Sequence, residues 1–199
     1  MISFFHCSLA TVLLVFSFST FAAWEVELSG SSVQFVTTKA GQAGVGGISE
    51  VQKFTQFKGS LSDAGRLEFA VALASVQTGF EIRDERLKAM LFKVVDTPQA
   101  TFSAQIDPSL TGKLAIGQVS DVDVEGAFTL GGQTKPMKAL LRVTRLSATQ
   151  LQVATREPLV VNANDYGMKA GVEALRDVMG LNFLASVAPI NLHLLLKSN

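Results

Sequence analysis

Apolar and polar residues alternate through most of the chain, and this period of two predicts strands rather than helices. Trp24, Val26 and Leu28 open the alternation, Gly30-Ser31 interrupts it, and Val33–Val36 resumes it. Residues 54–61 and 67–74 predict a hairpin, because Ser62-Asp63-Ala64-Gly65 between them is turn chemistry. Leu67, Phe69, Val71 and Leu73 then share one face. Further on, Val122, Val124, Phe128 and Leu130 lie on one face, with Asp121, Asp123 and Glu125 on the other. Gly126 inside that strand predicts a bulge or bend, and Pro136 is expected at the start of the next strand. Residues 137–146 and 151–160 predict a second hairpin. The last strand, 183–196, turns Ile190, Leu192, Leu194 and Leu196 inward. Short helical pieces are expected at 49–53 and 172–179.

One stretch changes period. From Thr78 to Val94 the apolar residues Leu87, Met90, Leu91 and Val94 recur at helical spacing. Thr78 and Glu81 have capping-box spacing at its start. Asp84 and Lys88 sit four apart and can pair. Thr97-Pro98 ends the helix, since the residue before proline is driven to extended geometry. Ala100, Phe102 and Ala104 alternate again. About eight strands, one clear helix and no parallel-crossover rhythm predict an all-β fold. The expected form is a single antiparallel β-barrel over residues 23–199, with one helix covering an end. A barrel of that size can hold one small ligand.

Charge and targeting narrow the function. Lys plus Arg and Asp plus Glu are 17 each, without the clustered basic surface that nucleic acid requires. The run from Ser8 to Phe21 is too short for a comfortable membrane span, and Thr20-Phe21-Ala22 is a small-x-small cleavage pattern. Residues 1–22 therefore predict a secretory signal peptide and a periplasmic product. The one cysteine, Cys7, would leave with it, which excludes disulfides and cysteine chemistry from the mature protein.

Candidate chemistry is sparse. His193 is the one histidine beyond His6, falls on the outer face of the last strand, and has no G-x-S-x-G elbow to serve. The glycines of residues 41–47 fit neither a phosphate loop nor a dinucleotide fingerprint and predict a loop. Asp121, Asp123 and Glu125 fit a solvated face better than a cation site. A non-enzymatic protein with no metal or cofactor is expected. Arg83, Asp84 and Arg86 are the charges of interest: they either tie the helix to the barrel or, through Arg83 or Arg86, meet an anionic head group. Phe35, Phe69, Phe102 and Phe128 face inward and fit a packed core or the wall of a pocket equally well.

Three segments carry a resemblance. They are Thr78–Ala104 with Arg83-Asp84 and Pro98-x-Ala-Thr-Phe102, then GAFTLGGQTKP at 126–136, then FTQFKG at 54–59. Together they resemble the YceI-like family of secreted bacterial proteins. The resemblance implies a lipocalin-like barrel in the periplasm and no catalytic residues. It also implies an elongated apolar cavity for polyisoprenoid chains such as those of isoprenoid quinones. On that reading Phe35, Phe69, Phe102, Phe128 and Leu141 line the cavity, and Leu87, Met90 and Leu91 cover its mouth. Arg83 or Arg86 stands at the rim, and a lipid carrier of this kind makes transient membrane contact. The competing expectation is a barrel with a packed interior that serves as a protein-interaction or stress-related module.

Overall fold

The computed structural model describes residues 22–41 and 46–198. The expected signal segment, all but its last residue, and the centre of the glycine-rich loop lie outside the described residues.

The strands are β1 (Ala22–Ala40), β2 (Ile48–Phe54), β3 (Phe57–Ser62), β4 (Arg66–Ala72), β5 (Val76–Gln77), β6 (Gln99–Gln105), β7 (Val119–Leu130), β8 (Gln133–Arg145), β9 (Gln150–Thr155), β10 (Leu159–Asn162), β11 (Phe183–Leu184) and β12 (Val187–Ser198). The helices are α1 (Glu81–Arg86), α2 (Ser109–Gly112) and α3 (Lys169–Val178). Eight strands close an antiparallel barrel in the order β1, β3, β4, β6, β7, β8, β9, β12 and back to β1. The long β1 makes this closure possible. Its register against β12 shifts between Glu27 and Ser32, where Gly30 adopts φ 83°. Before that bend β1 pairs with β3, and beyond it with β2. The Ser31 hydroxyl pins the bend by donating to the Glu27 carbonyl and accepting the Leu195 N–H at 2.8 Å.

Several expectations change. Residues 49–53 are strand β2, not helix. Its inward positions hold Glu50 and Gln52, while Val51 points out at 65% exposure, so no apolar alternation was there to read. Pro136 is the fourth residue of β8, opposite Ala127. The other edge of β8 meets β9 only from Leu141 onward, so a missing N–H at Pro136 is tolerated. The expected strand 151–160 divides: β9 ends at Thr155, and β10 pairs separately with β12. Gly126 marks no bulge, since the β7–β8 register runs unbroken past it. A Cβ at Gly126 would instead collide with the Ser103 carbonyl oxygen and stand 2.6 Å from the Phe102 ring; the glycine lets the β6 backbone and that ring lie close against β7.

The helix also differs in detail. Phe80 occupies the N-cap with no side-chain cap bond, so the expected capping box does not form. The Asp84 carboxylate reaches back to accept the Thr78 N–H at 2.8 Å. Lys88 consequently pairs with Glu85, at 2.9 Å, rather than with Asp84. After α1 the chain widens into a π-helical turn, Leu87–Phe92, ended by Lys93 at φ 48°. The Thr97 hydroxyl donates to the Phe92 carbonyl at 2.6 Å and so caps that end. A second helix shares the cover. α3 crosses the π-helical turn at Gly171, whose missing Cβ would stand 2.6 Å from the Met90 carbonyl oxygen.

Candidate functional site

The barrel interior is not filled. A cavity of about 250 Å³ runs along its axis beneath the two helical segments. Phe35, Phe69, Phe102, Phe128 and Leu141 line it from the strands, and Leu87 and Leu91 from the π-helical turn. Met90, Arg83 and Arg86 do not. Met90 packs instead against the buried cluster beneath the helices.

Other lining residues escaped the sequence reading. Met168, Val172 and Leu175 face the cavity from α3 and the residue before it. Their spacing of four and three is a helical apolar stripe, and it was there to be found. Phe54 and Phe92 also line the cavity, their rings tilted against each other with centres 5.8 Å apart.

Trp24, Phe57, Leu61 and Leu151 are buried in a second cluster that does not line the cavity, and the Arg145 guanidinium lies 5.5 Å from the Trp24 ring centre. Toward the helices the inner wall changes character step by step. On β1 the inward series is Val33, Phe35, Thr37 and Lys39; on β2, reading the same way, it is Phe54, Gln52, Glu50 and Ile48. The wall thus passes from aromatic to uncharged polar to charged within a few residues. Polar lining is otherwise confined to Ser60, Glu68, Thr101 and Ser186.

The charged step is a latch. Glu50 accepts from Lys39 and from Arg83, each at 2.8 Å, and the Arg83 guanidinium stacks 4.7 Å over the Phe80 ring. Arg83 therefore ties α1 to β2. The hydrogen bond from Lys39, with the nearby Arg83 charge, holds the Glu50 carboxyl below its ordinary 4.5 against the opposing effect of burial. A carboxyl depressed in the folded state stabilises above its unfolded value, and that contribution is lost as pH falls through the folded one. Glu50→Gln should lower the melting temperature at pH 7 by about 3 °C, the equivalent of about 1 kcal/mol. Melts repeated at falling pH should show the gap closing below pH 4.5; a gap that persists in acid would contradict the latch.

On the outer face, polar groups pair with one another. Asp121 is bound by Arg142 at 2.8 Å and Arg156 at 2.9 Å on the outer wall. His193 lies outside, 2.6 Å from the Gln152 amide. Among the described residues no three or more His, Cys, Asp or Glu side chains group closely enough to hold a metal ion.

Residues 24–189 match the YceI-like domain. This chain belongs to the YceI-like family. Among solved structures, the YceI-like chain is similar to a polyisoprenoid binding domain from Saccharophagus degradans implicated in plant cell wall breakdown. The two are 30% identical over 90% of this chain and 100% of that one, with a TM-score of 0.84. BcnA of Burkholderia cenocepacia shares the fold at 18% identity, covering 85% of this chain and 98% of its own, with a TM-score of 0.60. The Campylobacter jejuni YceI protein shares it at 15% identity, with coverages of 74% and 84% and a TM-score of 0.53. No curated protein sequence matches this YceI-like chain.

Proposed function

We propose that this YceI-like protein is a non-enzymatic periplasmic carrier that holds one long isoprenoid or similar amphiphilic lipid, such as a prenyl quinone, inside its barrel. The observation that carries this is the cavity: about 250 Å³, lined almost wholly by apolar side chains of the strands and of the two helical segments. Apolar cavities of roughly 150 Å³ already bind benzene and stay dry. Each methylene buried contributes about 0.8 kcal/mol, so a prenyl chain binds tightly with few polar contacts. The polyisoprenoid-binding relative supports the ligand class. A protein-interaction module with a packed core has no use for this volume.

The covering segment also supports contact with a membrane. Phe80, Ile82 and Val95 are 59%, 63% and 94% exposed there, where a carrier would meet the bilayer that supplies its cargo. Delivery is tested with vesicles that contain a prenyl quinone. Protein recovered from the periplasmic fraction, beginning at residue 23, should withdraw the quinone into the soluble phase. Protein retained in the membrane with its first residues intact, or quinone left in the vesicles, would contradict the proposal.

A further inference from the structure

Between β8 and β10 the barrel wall is held by side chains. β8 pairs with β9 only from Leu141 onward. Beyond Thr155 the place beside β8 passes to β10, whose one strand partner is β12. The cause is a bulge: Ala154 pairs with His193 and Leu159 with Ile190, so five residues on one side of the ladder span three on the other. The extra length, Arg156-Glu157-Pro158, takes β10 out of register with the β8 edge. The Arg156 N–H donates to the Leu140 carbonyl at 2.9 Å, and above this bond no backbone hydrogen bond joins the two strands. Alternate residues of a strand turn their backbone groups the same way, so Lys138, Pro136 and Thr134 follow Leu140 toward the seam. Pro136 has no N–H to offer there, and the Lys138 side chain is 81% exposed beside it; both keep a free edge from pairing with another chain. At the upper end the Lys135 ammonium lies 6.0 Å from the Tyr166 ring centre. Both lips line the cavity, through Met137 and Ala139 on β8 and through Leu159 and Val161 on β10.

Resting on the carrier reading, we infer that this seam is the portal of the cavity: the prenyl chain passes sideways between β8 and β10 while the helical cover stays shut. The cover is the better fastened wall. Glu50 latches it through Arg83, Thr97 caps its π-helical turn, and Leu87 and Phe92 are buried with Leu175 of α3. Lifting it breaks the latch and wets that cluster. Parting the seam above Arg156 breaks no backbone hydrogen bond, and such weakly joined segments are where local opening is cheapest. An apolar chain entering there meets Leu159, Val161 and Met137 in place of the contacts that the lips give up.

The chain's one cysteine is Cys7, in the expected signal segment, so introduced pairs in the exported protein react alone. Lys138→Cys with Val160→Cys places a thiol on the outer side of each lip, and a short bismaleimide staples them. Glu50→Cys with Arg83→Cys staples the cover in the same way. Delipidated protein is mixed with phosphatidylcholine vesicles that carry ubiquinone, and the rates of uptake and release are followed. The seam staple should slow both by about tenfold or more, with the equilibrium affinity unchanged, because closing a route alters rates and not the end states. The cover staple should leave both rates as in the unstapled protein. Should the seam staple fail to form or weaken equilibrium binding, two single variants decide. Val161→Ala, which thins one lip, should then speed uptake severalfold, and Glu50→Gln, which releases the latch, should not. Slowing by the cover staple, unchanged rates with the seam stapled, or faster uptake in Glu50→Gln than in Val161→Ala overturns the portal but leaves the carrier reading intact. Wild-type protein that takes up no ubiquinone removes the carrier reading, and the portal with it.

Discussion

Phe102→Asp is expected to abolish ligand retention while the barrel still forms. Phe102 faces the cavity from β6, between Phe69 on β4 and Phe128 on β7 in the strand register. Its loss alone should cost about 3–5 kcal/mol, as for other large-to-small changes in a core. The new carboxyl avoids a bare charge by drawing water into the cavity or by staying protonated. Either route is closed to an apolar chain, which would have to displace that water or leave the carboxyl dry. Lipid co-purifying with the protein should fall at least a hundredfold, with the strand signal in circular dichroism kept. Leu141→Asp, further down the same wall, provides a second site if the first variant is too unstable to recover. Asp123→Ala, on the outer face of β7, should leave both stability and lipid content unchanged within about 0.5 kcal/mol. Full lipid content in a folded Phe102→Asp protein would mean that the chain binds elsewhere.

The second large effect is one of stability. Leu175 is 2% exposed and sits on the inner face of α3, where it lines the cavity and packs in the cluster with Leu87 and Phe92. Leu175→Ala should cost about 2–5 kcal/mol, toward the upper part of the range because an existing void prevents collapse around the new one. Urea denaturation would show a lower midpoint at an unchanged slope. A change under 1 kcal/mol would mean that α3 covers the barrel without being anchored to it.

Most of the barrel was legible because its strands bury one face and wet the other. On β7, Val124 and Leu130 are buried while Asp123 and Glu125 are exposed, as the alternation predicts. The same holds for Leu194 and Leu196 on β12. Legibility failed where function interrupts the pattern. On β2 the inward positions are polar because they form the mouth, so the strand resembled a short helix and Gln52 drew no notice. Arg83 and Asp84 were legible as ties but not their partners, since Glu50 lies 33 residues away from Arg83. The phenylalanines could not reveal whether they fill a core or line a hollow, because both need the same inward faces. That difference depends on how far apart the walls stand, which the strand number and closure set.

Native mass spectrometry of protein freshly recovered from exporting cells tests the carrier account most directly. The account predicts one bound species per chain, lost on collisional activation, whose released mass is that of a prenyl lipid. Phe102→Asp should emerge at the bare protein mass under the same conditions. Wild-type protein that emerges at the bare mass, and stays there after incubation with a prenyl quinone, would contradict the account.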